Sequence, residues 1–141
     1  MPVVSTSARD SENHEIVLVA RPDAPGVARR TAADFVRHQG AGADVAHAVE
    51  LAVSEAVSNV VVHAYADSDD PGEVRLELEY TGDGVIILVA DAGKGMSPRP
   101  DSPGLGLGLP LIGRLADSFD VHSDVGHGTE LRMRFELSQA A

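Results

Sequence analysis

Asp91 closes an almost wholly apolar run, Val85 to Ala90, and Ala-Gly-Lys-Gly-Met follows at once. A carboxylate therefore stands at the end of a buried strand with two glycines close behind, where it can accept N–H donors. Two readings stand for it: it caps its own turn, or it receives a donor from a ligand, an adenine amino group being one candidate. Farther on, Gly104-Leu-Gly-Leu-Gly-Leu leads into Pro110 and a helical pattern. Small, permissive backbone beside a helix N-terminus is a ready place for a phosphate. A mobile linker is the competing reading, although linkers alternate Gly with Ser more often than with Leu. Glu55, Asn59 and His63 recur every fourth residue and share one face of a helix, opposite much of its Val/Ala stripe. Such a polar stripe is by itself only the wet side of a helix.

The helix that carries Glu55 and Asn59 is expected from about Asp44 to Ala66, with Val45, Val49, Ala52, Val53, Ala56, Val57, Val60 and Ala64 as its core stripe. Before it, Glu15 to Ala20 reads as a strand. Asp23-Ala-Pro-Gly then opens a helix that Gly40 stops. After it, Asp67-Ser-Asp-Asp-Pro-Gly is a turn, and Val74, Leu76, Leu78 and Tyr80 alternate as a half-buried strand. Thr81-Gly-Asp-Gly closes a hairpin into the central strand that ends at Asp91. Residues 91 to 108, rich in Gly and Pro, read as a functional loop, and a helix runs from Pro110 through Leu115. Two strands follow, Phe119 to Ser123 and Thr129 to Leu137. The expected fold class is α+β, a two-layer sandwich with helices on one face of a mixed, mostly antiparallel sheet. Residues 1–14 are expected to be a flexible leader, 15–137 one domain and 138–141 a tail.

With 141 residues, the chain has the size of one domain. Its net charge of −11 and dispersed Lys and Arg argue against nucleic acid, which requires a basic stripe. An acidic protein still accommodates a polyanion such as ATP where backbone N–H groups and a divalent cation offset repulsion. The lack of Cys and the scattering of the six His speak against zinc. No long uninterrupted apolar run and no basic, apolar N-terminal signal is seen, so neither a membrane span nor secretion is expected, and the expected location is cytoplasmic. P-loop, Rossmann and G-x-S-x-G patterns are all missing.

The order of these segments resembles the GHKL ATPase superfamily of gyrase, heat-shock chaperone, histidine-kinase and mismatch-repair type, with its Bergerat-type ATP-binding fold. The likeness covers residues 15 to 137. Glu50-Leu-Ala-Val-Ser-Glu-Ala-Val-Ser-Asn59 is similar to its N box, Asp91 to Gly95 to its first glycine box, Gly104 to Gly108 to its second and Gly126 to Thr129 to its third. Ser54 to Tyr65 is most similar to the anti-sigma-factor serine kinases. The resemblance implies that Asn59 holds Mg2+, that Asp91 accepts the adenine N6 amine and that Thr129 supports that contact. Gly93 and Gly95 would leave room for the nucleotide, while Gly104, Gly106 and Gly108 would line the phosphates. Glu55 would be the general base acting on a protein serine. The implied partners are an anti-anti-sigma factor and a sigma factor, and the implied assembly is a homodimer. Only eight residues, Met96 to Pro103, separate Gly95 from Gly104, a shorter lid than the family's sporulation kinases have. Arg99 within it is read either as reaching the γ-phosphate or as solvated, and Arg29 either as a partner contact or as a solvated charge. Two other functions remain open: a non-catalytic ATP-dependent binding module, and a detached histidine-kinase catalytic domain.

Overall fold

The computed structural model describes residues 3–10, 13–66, 69–93, 109–124 and 128–137. Strands β1 (Val3–Asp10) and β2 (Asn13–Val19) precede helices α1 (Ala24–His38) and α2 (Ala43–Asn59), and a π-turn over Val60–Ala64 continues α2. Strands β3 (Glu73–Tyr80) and β4 (Gly84–Asp91), helix α3 (Leu109–Leu115) and strands β5 (Ser118–Asp124) and β6 (Gly128–Glu136) follow among the described residues. The strands form one six-stranded sheet in the order β1-β2-β3-β4-β6-β5. This is the expected α+β class, with one correction: every described strand pair is antiparallel, so the sheet is not mixed.

A second correction concerns the N-terminus. Where a flexible leader is expected over 1–14, Val3–Asp10 pairs with β2 as an edge strand. Its sequence shows no clean alternation of apolar and polar residues. Main-chain hydrogen bonding to β2 creates the strand, and such bonds leave no side-chain signature.

Helix α1 buries Ala24, Ala28, Ala32 and Val36 at four-residue intervals, and α2 buries Ala46, Val49, Ala52, Val53, Ala56 and Val57. Small residues on both stripes let the two helices pack closely on each other and on the sheet. The stop at Gly40 is a Schellman motif: the Ala41 N–H bonds the Val36 carbonyl at 2.9 Å, and the Gly40 N–H bonds the Arg37 carbonyl at 3.0 Å. The segment Ala43–Ala64 is long and apolar enough to cross a membrane by composition alone. Its apolar face is instead the core of the sandwich.

The sheet's inner face is apolar at every second residue: Ile16 and Leu18 on β2, Val74, Leu76 and Leu78 on β3, and Leu131, Met133 and Phe135 on β6. The outer face carries a charged cluster in which Arg75 lies 2.6 Å from Glu77 and 3.9 Å from both Glu15 and Glu130. Half-exposed pairs of this kind contribute little stability and keep that face wet. The central strand β4 is apolar on both sides, and its outward Leu88 is bracketed in register by Glu77 and Arg132.

Phe135, 2% exposed, is the largest side chain of the inner layer. Phe135→Ala is expected to cost about 3–5 kcal/mol in urea unfolding, whereas truncation of the exposed Glu136 next to it should stay within about 0.5 kcal/mol.

Candidate functional site

The β4 register ends by aligning Val74, Asp91, Thr129 and Ser123 as one row across four strands, and that row faces the helices. Asp91 is thereby held half-buried at the rim of the core, on the face the helices cover. Its Oδ1 accepts the Gly93 N–H at 2.9 Å, and its carboxylate also accepts the Thr129 N–H. Thr129 Oγ1 in turn lies 3.0 Å from Ser123 Oγ. Burial raises the Asp91 carboxyl above the ordinary aspartate range, and the two backbone N–H bonds only partly offset that rise. An ionised carboxylate offers about four acceptor sites, so capping the turn through Gly93 still leaves capacity for an outside donor. The two sequence readings of Asp91 are therefore compatible.

Helix α2 reaches the same strand end through its π-turn. A Cβ on Gly93 would collide with the Ala64 carbonyl, so the backbone after Asp91 lies directly against the end of the π-turn. A Cβ on Gly128, whose φ is +106°, would strike the Asp91 carbonyl. Both glycines are required by close approach of backbone to backbone. Single π-turns inside helices often mark functional sites. Glu55 and Asn59 are half-buried on α2 upstream of this turn, while His63, within it, is exposed.

Asp91, Gly93 and Thr129 are thus brought into one hydrogen-bonded group, and Asn59 and Glu55 lie on the helix that abuts it. Gly95, Gly104, Gly106, Gly108 and the whole segment Met96 to Pro103, with Arg99, lie outside the described residues. Sequence reading gave no role to Gly128, Ser123 or Tyr65, although Tyr65 closes the Val-His-Ala-Tyr stretch and Gly128 sits in the third glycine segment.

Two concavities elsewhere lack the chemistry for a polyanion. One of about 380 Å³ on the helix-free face sets Glu15, Glu77 and Glu79 against the one arginine Arg132, and one of about 340 Å³ at the start of α2 is lined by Asp44, Asp117 and Glu136, so carboxylates predominate in both. Among the described residues no cluster of three or more His, Asp or Glu could hold a metal by itself. Mg2+ in nucleotide sites binds through one or two protein oxygens and takes the rest from phosphates and water. The Asn59 amide oxygen is a ligand atom of the type that would hold such a cation, and Asp91 is an acceptor of the type that would receive a base amine.

Residues 18–135 match the model of the histidine kinase-like ATPase domain. This chain belongs to that family. Curated relatives include an anti-sigma F factor from Clostridium beijerinckii, 34% identical over 127 residues covering 82% of this chain and 88% of the relative. Another from Clostridium kluyveri is 30% identical over 131 residues, covering 85% and 91%. The fold is shared with the RsbU and RsbW domains of Rv1364c from Mycobacterium tuberculosis, at a TM-score of 0.71 and 23% identity over 89% of this chain and 32% of that one. The histidine kinase domain of the blue-light activated kinase EL346 from Erythrobacter litoralis gives 0.59 at 22% identity, over 94% and 67%.

The raised Asp91 carboxyl has a thermodynamic sign. A carboxyl whose folded pKa exceeds its unfolded value contributes stability that is full at low pH and is lost as pH rises through the folded value. At neutral pH the ionised Asp91 is therefore a cost to the nucleotide-free fold. Asp91→Asn should melt at or above the wild-type temperature at pH 7, and the difference should close as the pH falls below the ordinary aspartate range. A melting point several degrees lower at pH 7 would contradict this.

Proposed function

We propose that this histidine kinase-like ATPase is an anti-sigma-factor serine kinase that binds Mg-ATP, phosphorylates an anti-anti-sigma partner and otherwise sequesters a sigma factor in the bacterial cytoplasm. One observation carries the reading: half-buried Glu55 and Asn59 share the helix that packs against the Asp91–Gly93–Thr129 group, in a chain 34% and 30% identical to the anti-sigma F factors of Clostridium beijerinckii and Clostridium kluyveri.

On this reading the row at the end of β4 binds the base. Asp91 accepts the adenine N6 amine with an oxygen valence that Gly93 and Thr129 leave open, and Thr129, braced by Ser123, holds the carboxylate in place. Asn59 ligates Mg2+, which supplies charge neutralisation along the phosphates. The glycine segment Gly104 to Gly108 presents N–H groups to those phosphates beside the N-terminus of α3. Glu55, on the same face of α2 as Asn59, takes the proton from the partner's serine hydroxyl as the serine oxygen bonds to the γ-phosphorus. The bond from that phosphorus to the β–γ bridging oxygen breaks, and ADP leaves with the electron pair. Positioning and charge neutralisation account for most of such a transfer, so the residues that hold the reactants matter more than any covalent chemistry by the protein. Arg29, exposed on α1, is the candidate contact for the partner.

A second reading, a non-catalytic ATP-dependent binding module, is favoured by the shortness of the segment Met96 to Pro103. Incubation with [γ-32P]ATP and a cognate anti-anti-sigma protein distinguishes the two. Phosphoserine survives acid, phosphohistidine does not, and a binding module labels nothing. Glu55→Gln keeps the side-chain volume and loses the basic oxygen. It is expected to lower serine phosphorylation by about 10²- to 10⁴-fold with ATP affinity largely retained. Comparable rates for the two proteins would return Glu55 to the wet face of α2.

A further inference from the structure

Tyr65 ends the π-turn, and its hydroxyl makes two hydrogen bonds. It donates to the Glu73 carbonyl at 2.6 Å and accepts from the Ala92 N–H at 3.0 Å. These two groups would otherwise be partners of each other. The β3–β4 register runs to the pair Val74 and Asp91, so the next pair sets Glu73 opposite Ala92. At the other end of the hairpin the Thr81 N–H bonds the Gly84 carbonyl at 2.8 Å. Hydrogen-bonded pairs in an antiparallel ladder recur at every second residue, so counting back from Thr81 and Gly84 makes Glu73–Ala92 a bonding position. One phenol oxygen thus replaces a ladder hydrogen bond, relaying N–H to O–H to O=C, and it parts the strands at the residue after Asp91. Both backbone groups remain satisfied through the one hydroxyl.

The ring is as tightly placed as the hydroxyl. Gly72 has φ of +72°, and a Cβ there would fall inside the Tyr65 ring. The Gly72 carbonyl is held from the other side by the Ala20 N–H at 3.0 Å. The ring is therefore seated on backbone that the sheet itself fixes.

We infer that Tyr65 is a positioning residue for base recognition: its hydroxyl, wedged between Glu73 and Ala92, ends the β3–β4 ladder and fixes the angle at which Asp91 to Gly93 leave the sheet. Without the hydroxyl, and with the ring still seated on Gly72, the Ala92 N–H and the Glu73 carbonyl lose their shared partner, and the angle at which Asp91 to Gly93 leave the ladder is no longer set. The wedge also ties the Asp91 loop to the π-turn that follows Asn59, so the residues assigned to base and metal are held in one frame. The inference rests on the nucleotide reading of this site.

Tyr65→Phe keeps the ring on Gly72 and removes both hydrogen bonds. The full chain, wild type and variant, is titrated with Mg-ATP and Mg-GTP by calorimetry, and amide exchange is followed by NMR. In the variant the Ala92 amide should exchange at least about tenfold faster, ATP should bind about tenfold more weakly and the preference for ATP over GTP should shrink, while the Mg2+ dependence of binding persists. A Phe variant with wild-type ATP affinity and selectivity overturns the inference, even if its melting point falls, because Tyr65 would then serve stability alone. If that variant does not fold, amide exchange in the nucleotide-free wild type decides: a protected Ala92 amide supports the bridge, and an unprotected one overturns it. A wild type that binds no nucleotide overturns the nucleotide reading together with the inference. That outcome is distinguished by the wild-type titration itself.

Discussion

Burial of one face of α2 is the constraint from which the site follows. Ala46, Val49, Ala52, Val53, Ala56, Val57 and Val60 must all meet the sheet or α1 to leave water, and together they fix both the rotation and the depth of the helix. With that face committed, Glu55 and Asn59 lie at the margin of the sandwich, half-buried. The antiparallel register then brings Asp91, Thr129 and Ser123 to the same end and the same face. Packing and chemistry are set by the same rotation, so a core substitution that turns α2 would move the site with it.

The second half of the site works against stability. A carboxylate at the rim of the core is held above its ordinary pKa by desolvation, and the Gly93 and Thr129 N–H groups offset only part of that cost. A fold selected only for stability would place an amide or an apolar residue there. The retained charge makes sense as an acceptor kept ready for a donor that arrives from outside, in the way that perturbed titratable groups mark functional places. The collisions that a side chain at Gly93 or Gly128 would make, with the Ala64 and Asp91 main-chain carbonyls, show how closely the backbones are drawn together at this strand end.

Much of this was legible in the sequence because it is written in periodicity. The Val/Ala stripe of α2, the alternation of β3 and β6 and the all-apolar β4 each identify one element and the face it buries, and they put Glu55 with Asn59 and Asp91 at a strand end. What escaped was carried by contacts between distant backbones. The edge strand Val3–Asp10 arises from main-chain pairing with β2 and has no side-chain pattern to betray it. The sheet reads as mixed because the polarity of strand pairs separated by helices is settled by how the chain returns, which local residues do not encode. The π-turn at Val60–Ala64 continues a helical pattern without interruption. The hydroxyl of Tyr65 finds its partners in Ala92, 27 residues on, and in Glu73, across a turn.

In the proposed function Mg-ATP sits between the polar face of α2 and the row that ends β4, on the helix-covered side of the sheet. An amide NMR titration of the wild-type chain with Mg-ATP tests it most directly. The largest shifts should fall on Asn59, Asp91 to Gly93, Ser123 and Thr129, with Glu77, Leu88 and Arg132 on the open face unmoved. Shifts confined to that open face, or none at saturating nucleotide, would contradict it.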